Sequence, residues 1–268
     1  MKVCIIGAGS IGRTIARALE QFDEVERFYV FDKSKSKVES LVQDCAKAKA
    51  TDDIEDVLGE VGLVIEAASQ RAVEAFIPKV LENGKNVLVM SVGAFVDEDF
   101  RHRCKELAKA RGAHIFVPSG AVCGIEGICA AAEEDIEEVV LISYKNPNAL
   151  ASVEYLRKRG IDLSKVTKPT VIFDGTASDA VRHFPKNINV AATISLAGVG
   201  FERTRVKIVV DPKATKNMHR IVVKGRFGEI EVWCRNEPFP ENPRTSYLAA
   251  LSAVSAVRKI TGNIWIGV

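Results

Sequence analysis

A glycine turn near the amino terminus restricts the possible folds more than any other feature of this sequence. Gly7-Ala8-Gly9-Ser10-Ile11-Gly12 follows the apolar, β-prone run 3–6 and leads into residues 11–19, where apolar positions have helical spacing. In a strand, turn and helix of this kind, the first glycine permits the tight turn and the second lets backbone approach a pyrophosphate. The third permits close packing of the helix, whose N-terminus attracts the anion. The turn therefore predicts a dinucleotide site built on Gly7, Gly9, Ser10, Ile11 and Gly12.

An acidic residue stands where such a site needs one. Asp32 comes twenty residues after Gly12 and directly follows a second apolar run, at 28–31. A carboxylate there accepts hydrogen bonds from the adenosine ribose and repels a 2′-phosphate, which favours NAD. The basic and polar residues just after it would attract a 2′-phosphate, so we expect NADP to be accepted as well. These are Lys33, Ser34, Lys35 and Lys37.

The first 118 residues alternate between strand and helix patterns. Further strands are predicted at 63–65, 86–90 and 114–118, with helices at 72–81 and 97–110. This alternation indicates a parallel sheet, and with the glycine turn it predicts a Rossmann domain over residues 1–118. Ala68 and Ser69 follow one of the strands, at the sheet edge where such domains bind their ligands. We therefore expect them to contact the cofactor.

The pattern changes after the break at Pro118-Ser119-Gly120. Predicted strands at 203–210, 219–223 and 229–234 follow each other closely, after earlier strands at 137–144 and 170–173 and a helical stretch at 178–197 that breaks near Pro185. Consecutive strands favour an antiparallel or mixed sheet, so the class is α/β: an N-terminal Rossmann domain followed by an α+β domain at 119–240. The remainder, 241–268, contains a helix predicted to return to the first domain.

Composition narrows the function classes. Lys and Arg exceed Asp and Glu by only 37 to 35, which excludes the concentrated positive field of a dedicated nucleic-acid binder. The four-residue apolar run at the start is too short for a signal peptide or a membrane span, so we expect no membrane partner and a cytoplasmic location. The six cysteines form no CxxC pair, and we predict no metal site.

Four ordered motifs in the second half resemble the L-aspartate dehydrogenase family. They are Pro118-Ser119-Gly120-Ala121-Val122-Cys123-Gly124, Gly175-Thr176-Ala177 with Phe184-Pro185-Lys186-Asn187-Ile188-Asn189-Val190-Ala191-Ala192, Asn217-Met218-His219, and Glu241-Asn242-Pro243-Arg244-Thr245-Ser246. The resemblance implies a catalytic role for His219 and cofactor contacts from Asn189 and from Ala121 and Cys123 in the first motif. Cys123 departs from the family, in which glycine or alanine is common at that position.

The resemblance implies NAD(P)-dependent oxidative deamination of L-aspartate, or the reverse reaction from oxaloacetate and ammonia, in the supply of NAD biosynthesis. The chemistry needs a base, and we expect His219 to titrate near neutrality, with His183 as the next candidate. Substrate carboxylates need cations or backbone N–H groups. The candidates are Arg182, Lys186, Lys216, Arg220 and the chain near Asn187.

Two other functions are also compatible with the sequence. A reductase of the dihydrodipicolinate type shares the two-domain architecture, although its paired-histidine motif is absent here. A non-catalytic dinucleotide-binding redox sensor would need only the Rossmann domain. For the oligomeric state, we expect a homodimer.

Overall fold

The computed structural model describes residues 1–151, 153–184, 189–239 and 242–267. The chain forms two compact units, Met1–Gly120 with Ala250–Val268, and Ala121–Ala249. The divisions predicted from the sequence fall after residues 118 and 240.

Strands and helices alternate through the first unit. In chain order they are β1 (Lys2–Ile6), α1 (Ser10–Leu19), β2 (Arg27–Phe31), α2 (Lys35–Gln43), β3 (Ala48–Ala50), α3 (Glu55–Leu58), β4 (Leu63–Glu66), α4 (Gln70–Glu82), β5 (Asn86–Val89), a 3-10 turn (Val92–Val96), α5 (Glu98–Arg111) and β6 (Ile115–Phe116). The six strands are parallel in the order β3-β2-β1-β4-β5-β6. The strand order reverses between β1 and β4, and open sheets of this kind bind their ligands beyond the carboxyl ends of the strands at such a point.

The burial of these strands explains why their sequences are runs of apolar residues. Helices cover a parallel sheet on both faces, and β4 is accordingly buried along its whole length. Helix α1 packs through a stripe at helical spacing, formed by Gly12, Ile15, Ala16 and Leu19. The carboxyl-terminal segment belongs to the same unit: Ser252 accepts a hydrogen bond from Gly120 N–H at 3.0 Å.

The second unit is built on a mixed sheet. Its elements are α6 (Ile125–Ala131), β7 (Ile136–Lys145), α7 (Pro147–Leu150), α8 (Glu154–Lys158), a 3-10 turn (Leu163–Lys165), β8 (Thr170–Thr176), α9 (Ala177–His183), α10 (Asn189–Ala197), β9 (Thr204–Val210), β10 (Asn217–Gly225), β11 (Gly228–Asn236), β12 (Pro238–Phe239), β13 (Asn242–Ser246) and the start of α11 (Tyr247–Thr261). The five long strands lie in the order β11-β10-β7-β9-β8. Only β7 and β9 are parallel among these neighbours.

One face of this sheet is covered and the other is largely open. Helices α9 and α10 pack together and against β9, and α6 packs on α10. The covered face contains side chains such as Leu141, Val206 and Ile221, which are at most 1% exposed. The predicted fold class, a Rossmann domain with a second α+β domain, is confirmed. The predicted helical stretch at 178–197 contains two helices, α9 and α10, and its break near Pro185 lies outside the described residues.

Candidate functional site

The fold requires glycine at two positions of the turn, Gly7 and Gly12, but not at Gly9. Gly7 adopts φ +111°, and a Cβ there would lie 2.6 Å from Ala67 O. A Cβ on Gly12 would lie 1.9 Å from Gly7 O, so packing between the turn and α1 excludes any side chain. A Cβ on Gly9 meets no atom within 4 Å. The absence of a side chain at Gly9 therefore serves something other than the packing of this unit.

Helix α1 starts at this turn without a side-chain cap. Gly9 is its N-cap residue in extended geometry, and no side chain accepts a hydrogen bond from the first turn. The first N–H groups of a helix lack intrahelical acceptors and carry partial positive charge. Ser10, Ile11 and Gly12 belong to this turn, which is suited to hold a pyrophosphate.

Asp32 follows β2 and connects the glycine turn to the next loop. Its Oδ2 accepts a hydrogen bond from Ala8 N–H, and its Oδ1 accepts one from Ser34 N–H, each at 2.8 Å. The carboxylate is partly exposed. It is therefore held in a fixed orientation and keeps lone pairs for a ribose. Lys35, one of the candidate phosphate cations, forms an ion pair with Asp52 at 2.9 Å.

A buried carboxylate that sequence analysis missed fixes the loops after β4 and β5. Glu66 is fully buried, and its Oε1 accepts hydrogen bonds at 2.8 Å from Ala68 N–H, Ser69 N–H and Ser91 Oγ–H. Its Oε2 accepts a further bond from Ser91 N–H at 2.9 Å. Burial raises the pKa of Glu66, and these hydrogen bonds oppose the rise. Glu66 thus holds Ala68 and Ser69, two of the predicted cofactor contacts.

His219 lies in the second unit, on β10, directly opposite Ser143 of β7. It is 2% exposed, and its Nδ1 lies 3.0 Å from Ser143 Oγ. Burial, and secondarily the positive charge of Lys145, lowers the pKa of His219 to about 3. The expectation that His219 titrates near neutrality is therefore wrong for this environment. At neutral pH the imidazole is uncharged, which is the form that accepts a proton.

Lys145 and Ser143 were not predicted from the sequence. Lys145 ends β7, is 6% exposed, and donates a hydrogen bond from Nζ to Asn217 Oδ1 at 3.3 Å. Burial lowers its pKa to about 8. A lysine three residues after the apolar run 139–142 of the same strand was the available sequence signal. Ser143, Lys145, Asn217 and His219 share one face of the sheet, because antiparallel partners and alternate residues point to the same side.

The loop before α6 packs on the same face, over the next strand. Asn236 of β11 donates a hydrogen bond from Nδ2 to Ala121 O at 2.6 Å. Cys123, which is exposed, forms a hydrogen bond with the buried Cys234, and burial raises the pKa of the Cys234 thiol to about 11. Cys234 is the register partner of His219. Ala121 and Cys123 therefore contact β11, the strand next to the one that contains His219.

The remaining predicted residues are not all brought to this face. Asn189 is the first residue of α10. Arg182 lies on α9 with its guanidinium 4.0 Å from Asp179, and its side chain is 70% exposed. His183 is exposed and packs its ring 4.5 Å from that of Tyr155. Lys186 and Asn187 lie outside the described residues.

Two properties of the described ranges bear on cofactors and location. Within them, no group of three His, Cys, Asp or Glu side chains is arranged to hold a metal ion. None of the helices found there is both long enough and apolar enough to cross a bilayer.

Comparison with known proteins connects both units to enzymes. Residues 7–118 match the NAD binding domain of homoserine dehydrogenase, and residues 126–260 match the C-terminal domain of aspartate dehydrogenase. With the strand order and the glycine turn, these matches define a nicotinamide-dinucleotide-dependent oxidoreductase. The chain belongs to the L-aspartate dehydrogenase family, which confirms the resemblance seen in its motifs.

Individual relatives support this membership over the full length. The chain is 46% identical to L-aspartate dehydrogenase of Methanosarcina barkeri, covering 100% of this chain and 99% of the relative. The crystal structure of aspartate dehydrogenase from Thermotoga maritima aligns with a TM-score of 0.78 at 30% identity, over 99% of each chain. A homoserine dehydrogenase from Thiobacillus denitrificans aligns at 15% identity with a TM-score of 0.63, over 97% of this chain and 73% of that chain, and shows similarity of fold alone.

Proposed function

We propose that this protein oxidises L-aspartate to iminoaspartate with NAD as the preferred hydride acceptor. Iminoaspartate then takes up water to give oxaloacetate and ammonia. The observation that carries the proposal is full-length membership of the aspartate dehydrogenase family, together with a buried, neutral histidine at the position that the family motif assigns to catalysis.

The first unit supplies the cofactor site. Gly9 leaves room for the pyrophosphate, the uncapped start of α1 provides N–H donors, and Asp32 accepts the adenosine ribose hydroxyls. Ala68 and Ser69, fixed by Glu66, border the nicotinamide end of the site at the edge of β4. The bound cofactor would supply the hydride acceptor, and these residues only hold and orient it.

His219 supplies the proton transfer. The α-ammonium of aspartate must lose a proton before its nitrogen lone pair can form the C=N bond as the Cα–H bond breaks. A neutral imidazole accepts that proton, and we assign the transfer to Nε2 because Nδ1 is engaged with Ser143. An imidazole with a lowered pKa is a weak base for this step. A negative charge brought beside it by the substrate would raise its pKa and strengthen it.

We assign the further cofactor contacts that the family motifs imply to Ala121, Cys123 and Asn189. Ala121 and Cys123 offer backbone groups from the loop fixed by Asn236, and Asn189 offers the start of α10. The exposed Cys123 thiol is not needed for these contacts. Arg182 is a candidate for substrate binding together with the 186–187 segment.

Turnover with defined substrates tests the proposal. The purified chain is mixed with NAD or NADP and with L-aspartate, D-aspartate, L-asparagine or L-glutamate, and the absorbance of reduced nicotinamide is followed. We expect rapid reduction with L-aspartate alone, and a higher kcat/KM with NAD than with NADP. Binding of NAD without turnover of any amino acid would support the redox-sensor alternative. Oxidation of NADH or NADPH by dihydrodipicolinate in a parallel assay, without turnover of any amino acid, would support the reductase alternative. Either result would overturn the proposal.

The product suggests the metabolic role and the location. Iminoaspartate is an unstable imine, so an enzyme that forms it can supply a reaction that consumes it before hydrolysis. We propose that this reaction lies in cytoplasmic NAD biosynthesis. A strain lacking this gene and other sources of iminoaspartate should then require nicotinate or nicotinamide for growth. Growth without either supplement would contradict the proposed role.

The open face of the second sheet supports a homodimer. Trp233 is 41% exposed there, stacks on Tyr144 with ring centroids 5.9 Å apart, and lies under the guanidinium groups of Arg220 and Arg235. Glu231 lies on the same face, so the surface has an apolar centre and both signs of charge, which suits pairing with a second copy of itself. Light scattering should give twice the chain mass, and Trp233→Glu should shift it toward monomer. A monomeric wild type would overturn this assignment.

A further inference from the structure

Lys145 is a buried cation beside His219 that the proposed chemistry has not yet used. It lies at the end of β7, two residues after Ser143, the register partner of His219. Its ammonium donates to Asn217 Oδ1, and Asn217 in turn lies two residues before His219 on β10. Lysine, asparagine, histidine and serine thus form one polar cluster at the end of an otherwise apolar sheet face.

The charge of Lys145 has no counter-charge in the part of the chain that the structure describes. No carboxylate among those residues lies within 4 Å of its Nζ. An ammonium has three donors, and the neutral amide oxygen of Asn217 satisfies one of them. Burying a cation without an anion is unfavourable, so a lysine of this kind indicates a site completed by an anionic partner. Burial lowers the Lys145 pKa to about 8, which leaves it mostly charged at neutral pH.

The cations proposed from sequence alone are placed differently. Lys216 forms an ion pair with Glu237, and Arg220 donates two hydrogen bonds to Glu231, each at 3.0 Å. Arg220 also lies on the sheet face opposite His219, because adjacent residues of a strand point to opposite sides. Arg182 is exposed and lies near Asp179. Each of these three charges is shared with a carboxylate of the chain, unlike that of Lys145.

We propose that Lys145 binds a carboxylate of the dicarboxylic substrate and that Asn217 orients the ammonium toward it. The inference rests on the proposed function and adds a specificity residue to it. A carboxylate held by Lys145 lies beside His219 and offsets the positive charge that lowers the histidine pKa. Binding the correct substrate therefore also strengthens the base. A substrate without that carboxylate provides neither effect.

The test compares Lys145→Met, which keeps the length of the side chain and removes its charge, with Lys224→Met on the neighbouring strand β10. Lys224 is exposed and paired with Glu229 at 3.6 Å. Succinate is the binding probe, because it has two carboxylates and no amine, and its affinity is measured by calorimetry with NAD present. We expect Lys145→Met to weaken succinate binding about 10- to 100-fold, the scale of a hydrogen bond between charged groups. Lys224→Met should bind succinate as tightly as the wild type, and neither substitution should change the NAD affinity.

Kinetics identify which carboxylate is bound. If Lys145 binds the β-carboxylate, Lys145→Met should raise the KM for L-aspartate and leave the rate measured with L-asparagine, however slow, unchanged. If Lys145 binds the α-carboxylate, the kcat/KM for both substrates should fall by the same factor. Because a buried unpaired charge is removed, the thermal midpoint of Lys145→Met should equal or exceed that of the wild type. Lys145→Gln serves as the second variant should the methionine variant not fold.

The outcomes separate this inference from the proposed function. If Lys145→Met oxidises aspartate with unchanged KM and binds succinate with unchanged affinity, the role of Lys145 is overturned and the proposed function stands. Lys145-dependent succinate binding without aspartate oxidation in the wild type would support the site and overturn the function. A wild type that neither binds succinate nor oxidises aspartate would overturn both.

Discussion

The Oδ2 atom of Asp32 accepts a hydrogen bond from the backbone N–H of Ala8, at 2.8 Å, in the middle of the glycine turn. The acid that we propose to select the cofactor therefore also shapes the loop that we propose to bind its pyrophosphate. Its second oxygen is engaged with Ser34 N–H. A single side chain thus couples the two halves of the proposed dinucleotide site, which the spacing of the sequence motif alone does not show.

Replacing Asp32 by Ala should change both affinity and cofactor choice. NAD binding should weaken by about 1.5–3 kcal/mol, because ribose hydroxyls lose a charged acceptor. NADP should lose less, since repulsion of its 2′-phosphate disappears as well. Fluorescence titration of both cofactors measures the difference, with the exposed Asp23→Ala as the control. Equal losses for NAD and NADP would assign Asp32 to the loop alone.

Substitutions of two glycines should separate folding from binding. Gly9→Val places a branched side chain in space that is empty in this unit, so the protein should fold normally and lose cofactor binding. Gly12→Ala should instead lower the melting temperature, because its Cβ would lie 1.9 Å from Gly7 O. Gly59→Val is the control, at another position with no atom within 4 Å of an added Cβ. Normal NAD affinity in Gly9→Val would remove Gly9 from the site.

The buried carboxylate of Glu66 should matter for both stability and the cofactor. Glu66→Ala leaves the Ser91, Ala68 and Ser69 N–H groups without their acceptor. The Ser91 N–H is buried, so leaving it unpaired should cost about 1–3 kcal/mol of unfolding free energy, whereas Ala68 and Ser69 are exposed and their N–H groups can bond to water. NAD affinity should fall too, since Ala68 and Ser69 lose their anchor. Urea unfolding measures the first effect, with Glu74→Ala on the exposed side of α4 as the control. Unchanged stability would mean that water replaces the carboxylate.

The sequence predicted the parallel sheet and the glycine turn well because both depend on local patterns. Runs such as 63–65 are apolar on both faces, and the turn residues act within a few positions of one another. It did not reveal β3, whose three residues include the exposed Lys49, since so short a strand has no periodicity. Nor did it reveal Lys145. That lysine acquires its partners from β10, more than 70 residues later, and the burial that lowers its pKa comes from tertiary packing.

His219→Asn should separate catalysis from binding. Asparagine keeps polarity and approximate size but cannot carry the proton, so kcat should fall by about 10²- to 10⁴-fold. NAD affinity should barely change. His102→Asn, on the exposed face of α5, is the control and should keep full activity. Activity of His219→Asn within a factor of about 3 of the wild type would make His219 structural and turn attention to His183.

Removing the charge of Lys145 should raise the pKa of His219. Two causes lower that pKa, burial first and the charge of Lys145 second, so Lys145→Met should reverse only the second. In the wild type, folded His219 stays neutral down to about pH 3, whereas the unfolded chain binds the proton below about pH 6.5. The unfolding free energy contributed by this group therefore falls as pH drops from about 6.5 toward 3. In Lys145→Met, the higher folded pKa should make that fall smaller, and His219→Asn should abolish the histidine contribution.

NMR titration of the four imidazoles gives the pKa of His219 directly, and urea unfolding at several pH values gives the stability. Lys224→Met should leave both unchanged. A His219 pKa that does not rise in Lys145→Met would show that the two side chains are not electrostatically coupled, and substrate binding at Lys145 could not then strengthen the base.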